Sequence, residues 1–159
     1  MKPFYILLIT LFTIAASHLD ASPPGCKLES NLVESTIAQK VNELDGHEYC
    51  QFRHYDTLDD SDRDGTEDFI VLFTIEGAGG EGNNHIDFLS VFLSSHHWKP
   101  ITVQTGERGV RDPIEINVED GKIVLKTLEY LPSDPQCCPS GKGKLVYEIR
   151  NGKLRLLTK

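Results

Sequence analysis

Asp60, Asp62, Asp64 and Asp68, with Gly65 and Thr66 between them, have the residue types and the spacing to wrap a cation. The stretch Asp60-Ser61-Asp62-Arg63-Asp64-Gly65-Thr66-Glu67-Asp68 reads D-x-D-x-D-G-x-x-D and runs directly into the apolar Phe69-Ile70-Val71-Leu72-Phe73. Calcium is a hard ion that takes several oxygen ligands at once. Carboxylates at loop positions 1, 3, 5 and 9, a sharp turn at a glycine in position 6 and a backbone carbonyl at position 7 supply them. Those places fall on Asp60, Asp62, Asp64, Asp68, Gly65 and Thr66. An EF-hand also needs a bidentate glutamate at position 12, which here is Val71 inside the apolar run. The expectation is therefore a calcium turn that leads into a strand, not an EF-hand.

Other chemistry is weaker in the sequence. Gly77 to Gly82 and Ser140-Gly141-Lys142-Gly143-Lys144 are glycine-rich but lack the G-K-[ST] ending that grips a phosphate, and both read as turns. There is no G-x-S-x-G elbow and no H-E-x-x-H. His47, His54, His85, His96 and His97 lack the short paired spacing of zinc ligands and read as loop and edge residues. Glu76, Glu81 and Asp87 are carboxylates on or beside a glycine hairpin and form the candidate acid/base set of an enzyme.

The first residues decide the compartment. Met1-Lys2-Pro3 is a short positive start, Phe4 to Ala16 is apolar apart from two threonines, and small residues follow. This reads as a secretory signal over 1–21, cleaved after Ser17 or Ala21, with a single domain over 22–159. Pro23-Pro24-Gly25 before Cys26 is not a lipoprotein signal, so no lipid anchor is expected, and no later segment is apolar enough to insert into a membrane. Removal of 1–21 takes away one lysine and one aspartate, so the net charge stays at −8. That charge argues against nucleic acid and for a cation or a basic protein surface as partner.

Four cysteines in an exported chain are expected to be oxidised. Cys26–Cys50 with a vicinal Cys137–Cys138 is the favoured pairing, and two long bridges between the segments the alternative.

The elements that must position these groups are one helix and a run of strands. Leu28, Leu32, Val33, Ile37, Val41 and Leu44 lie on one helical face, stopped at Asp45-Gly46. Strands are predicted from Tyr49 to Tyr55, Phe69 to Ile75, Ile86 to Leu93, Trp98 to Thr105, Ile114 to Val118, Ile123 to Tyr130, Lys144 to Arg150 and Leu154 to Leu157. Asp120-Gly121 and Asn151-Gly152 mark tight hairpins. The fold class is α+β, mainly β: one N-terminal helix on a meandering antiparallel sheet of about eight strands.

Two resemblances follow from these motifs. The aspartate loop and its strand resemble the calcium turns of FG-GAP and VCBS-type extracellular modules, although a single copy cannot build a propeller. With Asp134-Pro135-Gln136-Cys137-Cys138-Pro139-Ser140, the glycine hairpin and the Tyr147 strand, the chain from about Tyr55 to Ile149 resembles the LppP/LprE-like lipoproteins and their unanchored relatives. That resemblance implies a small exported bacterial protein and carries no activity. The function expected is a non-catalytic calcium-binding envelope protein, an inhibitor or immunity-type partner of a basic envelope or secreted protein. An enzyme acting on envelope polysaccharide or peptide and a structural calcium module of a surface assembly are the alternatives.

Overall fold

The computed structural model describes residues 30–61, 64–80 and 82–158. The expected signal segment over 1–21 with its expected cleavage sites, Leu28 and Cys26 lie outside the described residues, as do Asp62 and Glu81.

Helix α1 spans Asn31–Leu44. Ser30 caps its start by accepting the Val33 N–H, and Asp45 ends it in the left-handed conformation at φ 49°. Val33 and Ile37 are buried, with Leu32, Val41 and Leu44 packed beside them. Full burial of such side chains contributes about 1.5–3 kcal/mol each, so one apolar stripe is enough to dock the helix.

Among the described residues nine strands follow, β1 (His47–Glu48), β2 (His54–Thr57), β3 (Phe69–Glu76), β4 (His85–Phe92), β5 (Ile101–Glu107), β6 (Arg111–Glu119), β7 (Lys122–Glu129), β8 (Gly141–Arg150) and β9 (Lys153–Thr158). All pairings are antiparallel, and from β3 onward each strand pairs with the next in sequence. The fold is α+β and mainly β, as the alternation implies. Asp120 and Asn151 sit at positive φ in the β6–β7 and β8–β9 turns, the backbone that two-residue hairpins require.

Two cores lie on the two faces of the β3–β4 pair, because side chains alternate along a strand. Val71, Phe73, Ile75, Phe88 and Phe92 meet α1. Ile70, Leu72, Leu89, Val91 and Leu93 meet Ile123, Leu125, Leu145 and Tyr147 from β7 and β8. The sheet therefore folds back on itself. The bend falls between β5 and β6, which share one paired position, Glu107 with Arg111.

Two predicted strands are corrected. Tyr49 to Tyr55 is broken: Cys50–Phe52 forms a 3-10 turn, in which Tyr49 stacks on Phe52 with centroids 5.3 Å apart. The turn lets Arg53 point inward, where it bonds Glu48 at 2.6 and 2.7 Å and reaches Glu34 on α1. Trp98 does not begin β5. It occupies a turn at φ 61° and stacks on Phe69. Pro100 biases the residue before it to extended backbone, and the strand starts after it, at Ile101.

Candidate functional site

Polar side chains gather at both ends of the β3–β4 pair. Eight residues of strand at ~3.3 Å each separate the two ends by roughly 25 Å.

The acidic loop occupies the end where β3 begins. Asp68 is fully buried. Its Oδ2 accepts the Ser61 N–H at 3.1 Å and the Ser61 hydroxyl at 2.6 Å, and its Oδ1 accepts the Ser94 N–H at 3.1 Å. One carboxylate thus ties the head of the loop to the turn after β4. Asp60 folds inward and takes the amides of Asp64 and Gly65 at 2.8 and 2.9 Å. Gly65 has φ 90°, a conformation that favours glycine, and this permits the turn. Asp64 accepts the Thr66 N–H at 2.9 Å and the Ser94 hydroxyl; the latter bond first, and the Thr66 amide after it, hold its carboxyl below the ordinary carboxylate range. The donor set is all oxygen, which fits a hard cation such as calcium.

Beside this loop lies a groove of about 560 Å³ lined by Asp56, Thr57, Asp59, Glu115, Asn117, Val118, Glu119 and Lys126. Lys126 bonds Glu115 at 2.7 Å. Four carboxylates against one ammonium leave the groove acidic.

The other end is a cleft of about 530 Å³ lined by Glu76, His85, Arg108, Asp112, Tyr130, Cys137 and neighbouring loop residues. Here the glycine hairpin meets the CCPS segment. Arg108 joins them, donating to the Asn83 carbonyl at 2.7 Å and to Gln136 at 3.3 Å. Cys137 and Cys138 are disulfide-bonded to each other. Asp134 holds their loop shut, accepting the amides of Leu131 and Ser140 at 2.8 Å each and the Ser140 hydroxyl at 2.7 Å. Cys50 is disulfide-bonded as well, with its partner outside the described residues.

Within this end the His85 ring Nε2 lies 3.0 Å from Asp112 Oδ1. That contact raises the His85 pKa, against the opposing effect of burial. Asp87 is 5 % exposed and accepts the Thr74 hydroxyl at 2.6 Å through Oδ1. Burial pushes its carboxyl up to about 6, although the Thr74 bond and His85 pull it down. The reading of His85 as a loop or edge histidine is thus corrected: it stands on β4 in contact with Asp112 on β6. The signal that existed was His85-x-Asp87, which puts both on one face of a strand. Asp112 comes from a distant strand and had none.

Glu76 and Asp87, the candidate acid/base carboxylates, part company: Glu76 lines the cleft and lies 3.6 Å from His47, while Asp87 is buried on Thr74. His47 is exposed, and His54 lies on β2. No family model, curated protein or solved structure matches the chain. Among the described residues no helix is long and apolar enough to cross a membrane.

Proposed function

We propose that this chain is an exported, calcium-binding, non-catalytic binding domain of the bacterial envelope, whose acidic groove receives a basic segment of a protein partner. Calcium is held by Asp60, Asp62, Asp64 and Asp68 with the Thr66 carbonyl. The observation that carries the reading is the groove of about 560 Å³ lined by Asp56, Asp59, Glu115 and Glu119. Asp59 immediately precedes the loop and its carbonyl accepts the Asp68 N–H at 2.9 Å, so the cation stiffens one wall of the groove. The net charge of −8 adds long-range attraction for a basic surface and speeds encounter. Polar walls with a net negative charge suit lysine and arginine side chains better than an apolar anchor.

Two measurements test it. Calcium sites of extracellular modules bind at about 10⁻⁴ to 10⁻³ M, so 10 mM calcium should stabilise the fold by roughly 1.5–3 kcal/mol over chelator. Immobilised protein should then capture one stoichiometric basic protein from envelope extract in calcium, lose it at high salt, and lose it in an Asp56→Lys, Glu119→Lys variant. Equal capture by that variant overturns the groove as the docking face. Turnover of a glycan or peptide by the isolated chain, abolished by Glu76→Gln, would favour an enzyme instead.

A further inference from the structure

The geometry points to a second cation site, unlike the first in chemistry: His85, Asp87 and Asp112 form a three-ligand seat for a borderline divalent ion such as Zn²⁺. One ring nitrogen and one oxygen from each carboxylate all lie within 4.8 Å of one another, and this is the group of its kind among the described residues. Ligands at ~2.0–2.2 Å from a tetrahedral zinc stand roughly 3.3–3.5 Å apart, so the three atoms close on an ion through small side-chain rotations.

An independent observation marks the site as incomplete without a cation. Asp87 is 5 % exposed, yet its Oδ2 has no hydrogen-bond partner among the described residues. A buried carboxylate oxygen left bare has given up its hydration and gained no bond in exchange. The residue across the β4–β5 ladder that would ordinarily cover it is Gly106. A Cβ there would stand 2.5 Å from Asp87 Oδ2 and 2.6 Å from Pro113 Cδ, so no donor can be placed from that position. Asp112 bears negative charge toward the same spot and makes the bare carboxylate dearer still. A cation answers both.

The donor set selects the ion. Imidazole nitrogen with carboxylate oxygens suits zinc and its transition-metal neighbours, whereas calcium takes oxygen alone. His85 and Asp112 also line the cleft of about 530 Å³, which leaves the fourth position open to water or to a ligand atom. The bound ion would stand between His85 Nε2 and Asp112 Oδ1, which now lie 3.0 Å apart. The backbone around the ligands is irregular: Thr105 is the extra residue on β5 opposite Asp87 and Phe88, and Ile114 is the extra residue on β6, two positions after Asp112. Bulges of this kind re-aim side chains and gather next to sites. The ion would join β4 to β6 across the bend where β5 and β6 share one paired position, stapling the two halves of the sheet.

The test is calorimetric titration of the purified protein with Zn²⁺ in calcium-saturated buffer, and the visible spectrum of the Co²⁺ form. One equivalent should bind, with ligand-field bands showing nitrogen and oxygen ligation. His85→Gln and Asp112→Asn should each weaken binding at least tenfold while the calcium-induced rise in melting temperature stays intact, which shows both variants folded. A His96→Gln, His97→Gln variant should bind as the wild type does. No saturable Zn²⁺ binding by the wild type, or equal binding by His85→Gln and Asp112→Asn, overturns the site.

Discussion

Asp68→Ala is the substitution with the largest consequence at the acidic loop. It removes a fully buried carboxylate that accepts three donors, the Ser61 N–H, the Ser61 hydroxyl and the Ser94 N–H. Hydrogen bonds to a charged acceptor are worth about 1.5–3 kcal/mol each. Ser61 and Ser94 are half-buried, so water reaches the vacated space and the loss falls near the lower end. The sum is ~4–5 kcal/mol. For a domain of this size, at ~4 °C per kcal/mol, the melting temperature should fall by roughly 16–20 °C in chelator. The fold itself should survive, because the backbone bridges of residue 68, to the Asp59 carbonyl and from the Leu58 N–H, each 2.9 Å, do not involve the side chain. Asp68→Asn keeps one acceptor oxygen and should lose about half as much, yet neither variant should gain stability from calcium. The assay is thermal unfolding by circular dichroism, with calcium and with chelator. An alanine variant melting within ~2 °C of the wild type in chelator would refute the claim that this carboxylate ties the loop to the turn after β4.

Three further substitutions probe other parts of the structure. Arg53→Ala strips a cation, 6 % exposed, from between Glu34 and Glu48; loss of its charge-assisted bonds to both carboxylates, one of them buried, should cost about 3–5 kcal/mol in urea unfolding. Gly106→Ala places a methyl 2.5–2.7 Å from Asp87, Pro113 and Arg111 and should cost ~1–3 kcal/mol by the same measure. The third concerns pH: the Leu131 amide, then Ser140, hold the Asp134 carboxyl below its ordinary value. A depressed folded pKa means that its stabilisation is complete above the unfolded value of about 4 and is lost as pH falls through the folded one. Exchange of the Ser140 amide should therefore accelerate below about pH 4 in the wild type, and be fast at all pH in Asp134→Ala.

What the sequence revealed was what is local. The Leu32, Val33, Ile37, Val41 stripe and the Asp45 stop gave the helix, since a 3.6-residue period needs no partner to be recognised. Asp120-Gly121 and Asn151-Gly152 gave two hairpins, because positive φ is encoded in the residues themselves. The segment from Tyr49 to Tyr55 failed for the opposite reason. Its aromatic spacing of three reads equally as a broken strand or a tight turn, and the choice is made by Arg53, whose partners Glu34 and Glu48 come from α1 and β1. Of the two polar ends, the acidic loop is contiguous and announces itself. The His85–Asp87–Asp112 group is assembled by the register of β4 against β5 and the bend into β6, which no spacing in the chain records.

The two ends differ in how a cation would be felt. At the acidic loop the carboxylates already accept backbone amides of the same turn, so an ion there orders a local segment and the neighbouring groove. At the cleft the ligands come from β4 and β6, and an ion would close a long loop of chain across the weakest joint in the sheet. With roughly 25 Å and a packed core between them, the two sites share no side chain, and contributions of independent sites add within about 0.5 kcal/mol. Melting temperatures measured with calcium, with zinc and with both should therefore show two additive increments, the zinc increment alone being abolished by His85→Gln. A zinc increment that vanishes in Asp60→Ala instead would mean that both ions compete for the acidic loop, and that one site accounts for all the cation chemistry of the chain.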